Sequence, residues 1–232
     1  MKGLMFVKKI PTLFEREVEN HRLVQTLDKV TPGFEWVLDG EGVATVKYDG
    51  SCCAIMDGKF YVRYDAKAGR KPPEGAIPCC DPDPVTGHWP HWLEVDILNP
   101  QKDYKWFVEA FRNTFWPPQP ISWREWNRLN FDSSHPIPAQ NATYEAIGPH
   151  FNSNPYHLEY DRLIMHGQTI LDEQTFPDML GNGDGKRTFE SIKRYLEETE
   201  IEGIVFWKDG EPQCKIKRRD FGFEWPIKEH DH

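Results

Sequence analysis

Two Asp-Gly pairs each join runs of β-branched and aromatic residues, and they constrain the fold of this chain more than any other feature. The first lies in "CAIMDGKFYVRYD", which turns at Asp57-Gly58, and the second in "IEGIVFWKDGEPQCKIKR", which turns at Asp209-Gly210. A two-residue Asp-Gly connection between two such runs is typical of a β-hairpin. The sequence therefore predicts antiparallel β-structure at both places.

The remaining sequence predicts helices between these strands. Helical spacing or an N-terminal capping signal predicts helices over residues 12–30, 101–116, 117–130 and 189–199. Further strand pieces are predicted within 35–50 and over 142–148, with loops or turns at 69–92 and 149–156. The segment "GNGDGKRT" is predicted to be a loop leading to an N-cap at Thr188. It is not a phosphate loop, because Lys186 is followed by Arg187 where that motif needs Ser or Thr.

Length and composition favour one cytosolic domain. The chain has 232 residues, 38% of them hydrophobic, and no clear internal linker, so a single domain over residues 1–232 is expected. No apolar run approaches the ~20 residues that span a bilayer, and the N-terminus does not resemble a signal peptide. The five cysteines include two adjacent pairs, which fits a reducing compartment better than a disulfide framework. We therefore expect a cytoplasmic protein without a membrane partner.

The net charge of −9 argues against nonspecific coating of nucleic acid. Any contact with nucleic acid must use a local basic patch, and two are visible, "KIKRRD" and "RYDAKAGRK". The first alternates Lys-Ile-Lys, as a strand does when one face carries charge and the other is apolar. This patch is the better candidate for binding a phosphate.

Lys47 lies in "VATVKYDGSCCAI", between two stretches that alternate as β-strands do. Charged residues on strands are costly if they are simply buried, so a set of them suggests a binding site. The residues concerned are Lys47, Arg63, Glu145, Glu202, Lys215 and Lys217. Each alone could be a strand residue that faces solvent, but the ordered set is harder to explain in that way.

The same residues resemble the motifs of covalent nucleotidyltransferases, the superfamily of ATP-dependent ligases and mRNA-capping enzymes. "KYDG" resembles their KxDG signature, and "TYEAIGP", "EGIVF" and "KIK" resemble later motifs in the same order. The segment "YEAIGPHFNSNPY" resembles RNA ligase domains. "KYDGSCCAI", "LIMHG" and "KIKRRDFGFEWP" are similar to the group of RNA ligases that contains the vertebrate 5′-to-3′ RNA ligase. The resemblance covers residues 36–226.

The resemblance implies an α+β nucleotidyltransferase (ATP-grasp-like) domain, with antiparallel sheets flanked by helices around a nucleotide cleft and no OB-fold domain. It implies that Lys47 attacks ATP to form lysyl-AMP, with Mg²⁺ or Mn²⁺ bound at Glu202. It further implies that Arg63 grips phosphate, Glu145 contacts ribose and Asp49 orients the lysine or metal-bound water. Lys215 and Lys217 would contact the phosphates, and His166 or an aromatic residue would stack on adenine. The expected partner is RNA with 5′-phosphate and 3′-hydroxyl ends, bound by a monomer.

Two alternatives remain open at this point. A guanylyltransferase would use the same lysine chemistry with GTP, and Val46 stands where RNA ligases often have Glu before the nucleophile. A catalytically silent module that binds nucleotide or RNA is the other. The expected lack of an OB-fold domain counts against the guanylyltransferase, and the complete set of charged motif residues counts against the silent module.

Overall fold

The computed structural model describes residues 9–20, 22–115, 141–171 and 187–227, and these form two compact units. Unit 1 contains residues 49–166 of this set, and unit 2 contains residues 9–48 and 167–227. The chain thus leaves unit 2 after Tyr48 and re-enters it at Gly167. Both units combine antiparallel sheets with few helices, which confirms the predicted α+β class at this coarse level.

The elements follow one another in a simple order. The strands are β1 (Phe14–Glu19), β2 (Arg22–Val30), β3 (Val43–Lys47), β4 (Ser51–Met56), β5 (Lys59–Ala66), β6 (Ile77–Pro78), β7 (Trp89–Val95), β8 (Ala142–Ile147), β9 (Arg162–Met165), β10 (Gly203–Lys208) and β11 (Glu211–Lys217). The helices are α1 (Glu35–Leu38), α2 (Lys105–Phe115) and α3 (Phe189–Glu198).

Unit 2 is built on a three-stranded antiparallel sheet in the order β11-β10-β3, beside a hairpin of β1 and β2. Five residues of the three sheet strands point to one face, where they are fully or almost fully buried: Ala44, Ile204, Phe206, Cys214 and Ile216. The core residues of this unit are Leu13, Phe14, Val37, Ala44, Ile192, Leu196, Ile204, Phe206, Cys214 and Ile216. Helix α3 contributes Ile192 and Leu196 to this cluster, so it packs on the apolar face of the sheet.

The predicted helix over residues 12–30 is wrong, because this segment forms the β1–β2 hairpin. Glu19 pairs with Arg22, and Asn20 adopts a left-handed conformation with φ of 49° in the connecting turn. The helical spacing did not correspond to a buried stripe, since Val18 and Val24 are both more than half exposed. Residues 35–38 also differ from the prediction, since the expected strand piece is the single helical turn α1.

Unit 1 is built on a six-stranded antiparallel sheet in the order β6-β7-β5-β4-β8-β9. The predicted hairpin at Asp57-Gly58 is confirmed, with Met56 paired to Lys59 across the turn. The predicted strand over 142–148 is confirmed as β8, and the predicted helix over 101–116 as α2 with a turn of 3-10 helix before it. Helix α2 packs through Val108, Ala110 and Phe111 on one face of the sheet.

Other predicted elements have mixed outcomes. The hairpin at Asp209-Gly210 is confirmed as β10 and β11. Thr188 is the N-cap of α3, with its hydroxyl accepting a 3.1 Å hydrogen bond from the Ser191 amide. The predicted helix at 117–130 and most of "GNGDGKRT" lie outside the described residues. No helix of the described ranges is both long and apolar enough to cross a membrane.

We predict that Gly203→Ala lowers the free energy of unfolding by about 1–3 kcal/mol, the usual range for inserting a methyl group where no space exists. A Cβ at this position would overlap the carbonyl oxygen of Ile216 on the paired strand. The measurement is urea denaturation of the wild type and the variant. Val205→Ile is the matched control, because it adds a methylene two residues along β10 at a half-buried site; we expect a change within about 0.5 kcal/mol. Equal stability of the wild type and Gly203→Ala would contradict the steric argument.

Candidate active site

One face of the unit 2 sheet carries three lysines. Directly paired residues of an antiparallel sheet point to the same face, and alternate residues along a strand do so too. Gly203 pairs with Lys47 on one side and with Lys217 on the other, and Val205 pairs with Lys215. Lys47, Lys215 and Lys217 therefore share the face opposite the core with Gly203 and Val205, and we call this the lysine face.

A single carboxylate joins two of these lysines. Glu202 is almost completely buried, with its side chain 6% exposed. One of its oxygens accepts a hydrogen bond from Lys47 Nζ, and the other accepts a 2.6 Å bond from Lys217 Nζ. Lys47 Nζ also donates to the carbonyl of Tyr48 at 3.3 Å. Burial without partners would be costly for this carboxylate, and the two ammonium groups compensate that cost.

Glu202 does not lie on a strand, as the sequence had suggested, but in the bend immediately before β10. The first residue of β10, directly after Glu202, is Gly203, which has only a hydrogen atom as its side chain. Lys47 and Lys217 flank that glycine in the pairing register, so no side chain stands between them. In the sequence "EG" at 202–203, the glutamate is therefore the shared acceptor. The glycine beside it leaves room for both lysine side chains to reach that carboxylate.

Lys215 lies one pair further along the lysine face. Burial lowers the pKa of Lys215 from 10.5 to about 8, with Lys217 and Lys47 adding electrostatic repulsion. Glu202 and Asp220 oppose this change only in part. Three lysines thus lie on this face, two of them bonded to Glu202, and the surface favours an anionic ligand.

Trp207 is a further residue of the lysine face that the sequence reasoning did not single out. It pairs with Val43, and its indole Nε1 donates to Thr45 Oγ1 at 2.9 Å. The ring packs so closely over Gly167 that a Cβ there would lie 3.0 Å from it. The signal was available in the alternation Gly203, Val205, Trp207, which continues the same face.

The rest of "KIKRRD" is structural. The guanidinium of Arg218 is buried and donates to the carbonyls of Leu196, Thr199 and Glu224, closing the end of α3. Arg219 donates to the carbonyl of Trp225. The predicted basic patch therefore has two parts with different roles. Its lysines lie on strand β11, and its arginines stabilise the segment that follows by bonding to backbone carbonyls.

A second group of predicted residues lies in unit 1 around Glu145 on β8. One oxygen of Glu145 accepts from the backbone N–H of Gly50 at 3.0 Å, and the other lies 2.9 Å from His166 Nε2. The second ring nitrogen of His166 lies 2.8 Å from Thr143 Oγ1. Both nitrogens of His166 are thus engaged, and the ring is held in one orientation beside the carboxylate.

Asp49 and Gly50 lie in the short connection between β3 and β4. The Asp49 carboxylate accepts a 2.7 Å hydrogen bond from Asn152 Nδ2. Gly50 is required by close approach, since a Cβ there would overlap the carbonyl oxygen of Ala146. The alternation of "VATVKYDGSCCAI" is interrupted because its two halves are the separate strands β3 and β4, which belong to different sheets.

Arg63 lies on β5, paired with Trp92 of β7. Its guanidinium contacts Asp65 at 3.1 Å and is 37% exposed at the side chain. Cys52, which pairs with Glu145, lies close enough to Arg63 to interact electrostatically. Burial raises the pKa of the Cys52 thiol to about 12, with Glu145 contributing, so this thiol stays protonated.

The predicted site residues therefore fall into two groups. Unit 2 brings together Lys47, Glu202, Lys215 and Lys217. Unit 1 holds Glu145 and His166 in direct contact, and it also holds Asp49 and Arg63.

The predicted divalent ion at Glu202 has few protein ligands available. Both carboxylate oxygens of Glu202 accept from lysines, and the described ranges contain no cluster of three or more His, Cys, Asp or Glu side chains that could hold a metal. Proteins commonly bind Mg²⁺ through one or two carboxylates together with substrate phosphates. These residues do not fit a resident metal ion on their own.

Comparison with known proteins adds no family assignment. No protein-family model matches the chain, and no curated protein matches it.

We predict that Lys215 makes the stability of the protein depend on pH between about 8 and 10.5. The folded state releases the Lys215 proton near pH 8, whereas an unfolded lysine keeps it up to about 10.5, so the unfolded state binds more protons in this window. The free energy of unfolding contributed by this residue therefore rises with pH there, and the cost of the buried charge is fully present below pH 8.

The measurement is urea denaturation at pH 7.5 and 9.5 for the wild type and Lys215→Met. We expect the wild type to gain stability relative to the variant at the higher pH. Lys208→Met, which removes a more exposed lysine paired with Glu41, is the matched control. An equal pH dependence of the wild type and Lys215→Met would show that Lys215 keeps its proton.

Proposed function

We propose that this protein is an ATP-dependent RNA ligase that joins 5′-phosphate and 3′-hydroxyl ends through a lysyl-AMP intermediate on Lys47. The observation that carries the proposal is the pairing of Lys47 and Lys217 on the two oxygens of buried Glu202, with Lys215 on the same face. These are the residues that the resemblance to nucleotidyltransferases assigns to the nucleophile and the phosphate contacts. The proposal places the nucleotidyltransferase chemistry on the lysine face.

The first step would be attack of Lys47 Nζ on the α-phosphorus of ATP. A P–N bond forms, the bond to the bridging oxygen of the β-phosphate breaks, and pyrophosphate leaves with the electron pair. A protonated lysine is not a nucleophile, so Nζ must lose one proton before the attack and a second as the P–N bond forms. The carboxylate of Glu202, which contacts Nζ directly, would accept one of them, and the other would pass to water.

The positive groups beside Lys47 support this step in two ways. One is that they would stabilise negative charge that develops on the α-phosphate in the transition state, where preorganised groups contribute most to the rate. The other is that the pairing of β11 with β10 sets the backbone positions of Lys215 and Lys217 on the same face as Lys47.

ATP is proposed to enter as its Mg²⁺ or Mn²⁺ complex, with the phosphates supplying most of the metal ligands. In the later steps AMP passes from Lys47 to the 5′-phosphate of RNA, and a 3′-hydroxyl then displaces AMP to form the phosphodiester. Glu145 is proposed to contact the ribose and Arg63 a phosphate, in the roles that the resemblance gives them.

We predict that the protein incubated with α-labelled ATP and Mg²⁺ retains label on a denaturing gel, and that Lys47→Ala abolishes it. Removing the nucleophile leaves no amine at the end of β3 to form the phosphoramidate. Lys208→Ala removes another lysine of the same sheet and is expected to keep the label. Joining of 5′-phosphorylated RNA is then measured separately.

The same assay distinguishes the alternatives. Label from GTP and not from ATP would indicate a capping-type guanylyltransferase. No label from either nucleotide would indicate a binding module and would contradict the proposal.

We predict that Glu202→Gln slows labelling by ATP by roughly 10²-fold or more, the usual effect of removing one preorganised charged group. The amide preserves the shape of the side chain but can neither carry the negative charge between two lysines nor accept a proton from Lys47. Single-turnover labelling at saturating ATP measures the rate. Glu41→Gln, which neutralises an exposed carboxylate paired with Lys208, is the control. A rate within about twofold of the wild type would remove Glu202 from the mechanism.

A further inference from the structure

The turn between β8 and β9 contains an unusual run of left-handed residues. Asn152, Ser153 and Asn154 have φ values of 44°, 62° and 52°, and His157 has 50°. Residues other than glycine visit this conformation as single residues, and three in succession are unfavourable. Strained backbone of this kind persists where the surrounding contacts determine it, and it is concentrated at functional sites.

The side chains of Asn152 and Asn154 bond to different parts of the chain. Asn154 stabilises the turn itself, since its amide donates to the Leu158 carbonyl at 2.9 Å and its carbonyl oxygen accepts from the Leu158 amide at 3.0 Å. Asn152 instead reaches out of the turn. Its Nδ2 donates to Asp49 Oδ1 at 2.7 Å and to the carbonyl of Gly50 at 3.0 Å.

Tyr156 of the same turn makes a third contact with this segment. Its hydroxyl oxygen accepts a 2.6 Å hydrogen bond from the backbone N–H of Asp49. The N–H of Gly50 is held separately by Glu145 at 3.0 Å. Both backbone polar groups of Gly50, together with the amide and the carboxylate of Asp49, are therefore fixed by side chains of unit 1.

We propose that Asn152 and Tyr156 are positioning residues that fix the Asp49–Gly50 segment for adenylyl transfer to Lys47, an inference that rests on the proposed function. Only Tyr48 separates Lys47 from Asp49 in the chain, so the segment that they hold begins two residues after the nucleophile. Asn152 holds the carboxylate and Tyr156 holds the amide. Asn152 is the first residue of the left-handed run and the one whose side chain contacts this segment.

If the turn had only a structural role, replacing Asn152 by glycine would not slow the reaction. Glycine adopts positive φ without a steric cost, so replacing a left-handed residue by glycine relieves strain wherever the side chain is dispensable. Asn152→Gly and Ser153→Gly change adjacent left-handed positions in the same way. They differ in that only Asn152 donates to Asp49 and Gly50.

The first experiment compares these two variants in single-turnover labelling by α-labelled ATP, with melting temperatures measured in parallel. We expect Ser153→Gly to label within about twofold of the wild type. Asn152→Gly should label at least about tenfold more slowly at saturating ATP, since small displacements near reacting groups cost up to about 10²-fold. The apparent KM for ATP should change less than the rate. Equal rates for the two variants would overturn the proposal.

The second experiment does not depend on activity. Tyr156→Phe keeps the ring and removes the acceptor of the Asp49 N–H, and hydrogen exchange of that amide is followed by NMR or mass spectrometry. We expect exchange to accelerate roughly two- to tenfold, as the loss of one hydrogen bond predicts, with the exchange of β10 amides unchanged. Unchanged exchange at Asp49 would overturn the positioning role.

The two readouts separate the failure of each proposal. A wild-type protein that takes no label from ATP would contradict the ligase proposal, while faster exchange in Tyr156→Phe would still establish that this side chain holds the segment. Normal labelling of the wild type with equal rates in Asn152→Gly and Ser153→Gly would leave the ligase proposal intact and remove the positioning role.

Discussion

The architecture of unit 2 depends on one buried carboxylate that is shared by two ammonium groups. Glu202 is withdrawn from water, so it requires partners on both oxygens, and Lys47 and Lys217 provide them from strands on opposite sides of β10. Loss of either partner would leave a buried charge only partly compensated, which is among the most destabilising changes in a protein interior. For both lysines to reach Glu202, the ends of β3 and β11 must lie beside the start of β10.

This requirement explains why a glycine follows the glutamate. Any side chain at position 203 would project between Lys47 and Lys217 and would also overlap the Ile216 carbonyl on the neighbouring strand. A similar constraint acts in unit 1, where Gly50 approaches the Ala146 carbonyl while its amide binds Glu145. In both places the glycine is required by the close approach of a second strand, and the polar contact beside it depends on the same approach.

Local sequence signals predicted much of this arrangement. Asp-Gly pairs placed both confirmed hairpins, and the Lys-Ile-Lys alternation correctly put Ile216 in the core with a lysine on either side. The signals failed where burial did not follow apolar spacing, as in β1 and β2. They also missed the left-handed run at 152–154 and the role of Trp207, because backbone strain and contacts across a sheet depend on residues distant in sequence. That two lysines share Glu202 was not predicted, since the resemblance assigned this carboxylate to a divalent ion.

The charge balance of the lysine face connects its stability with its proposed use. Three amines close together are costly to charge in a partly buried site, and burial together with the repulsion of Lys217 and Lys47 lowers the pKa of Lys215. The remaining excess of positive charge is a cost of folding that a hydrophobic substitution would avoid. An anionic ligand would offset that cost by supplying the missing negative charge, and phosphate groups are well suited because each can accept from more than one ammonium group. A surface that destabilises the free protein in this way is what a phosphate-binding site requires, since the same repulsion becomes binding energy when the ligand arrives.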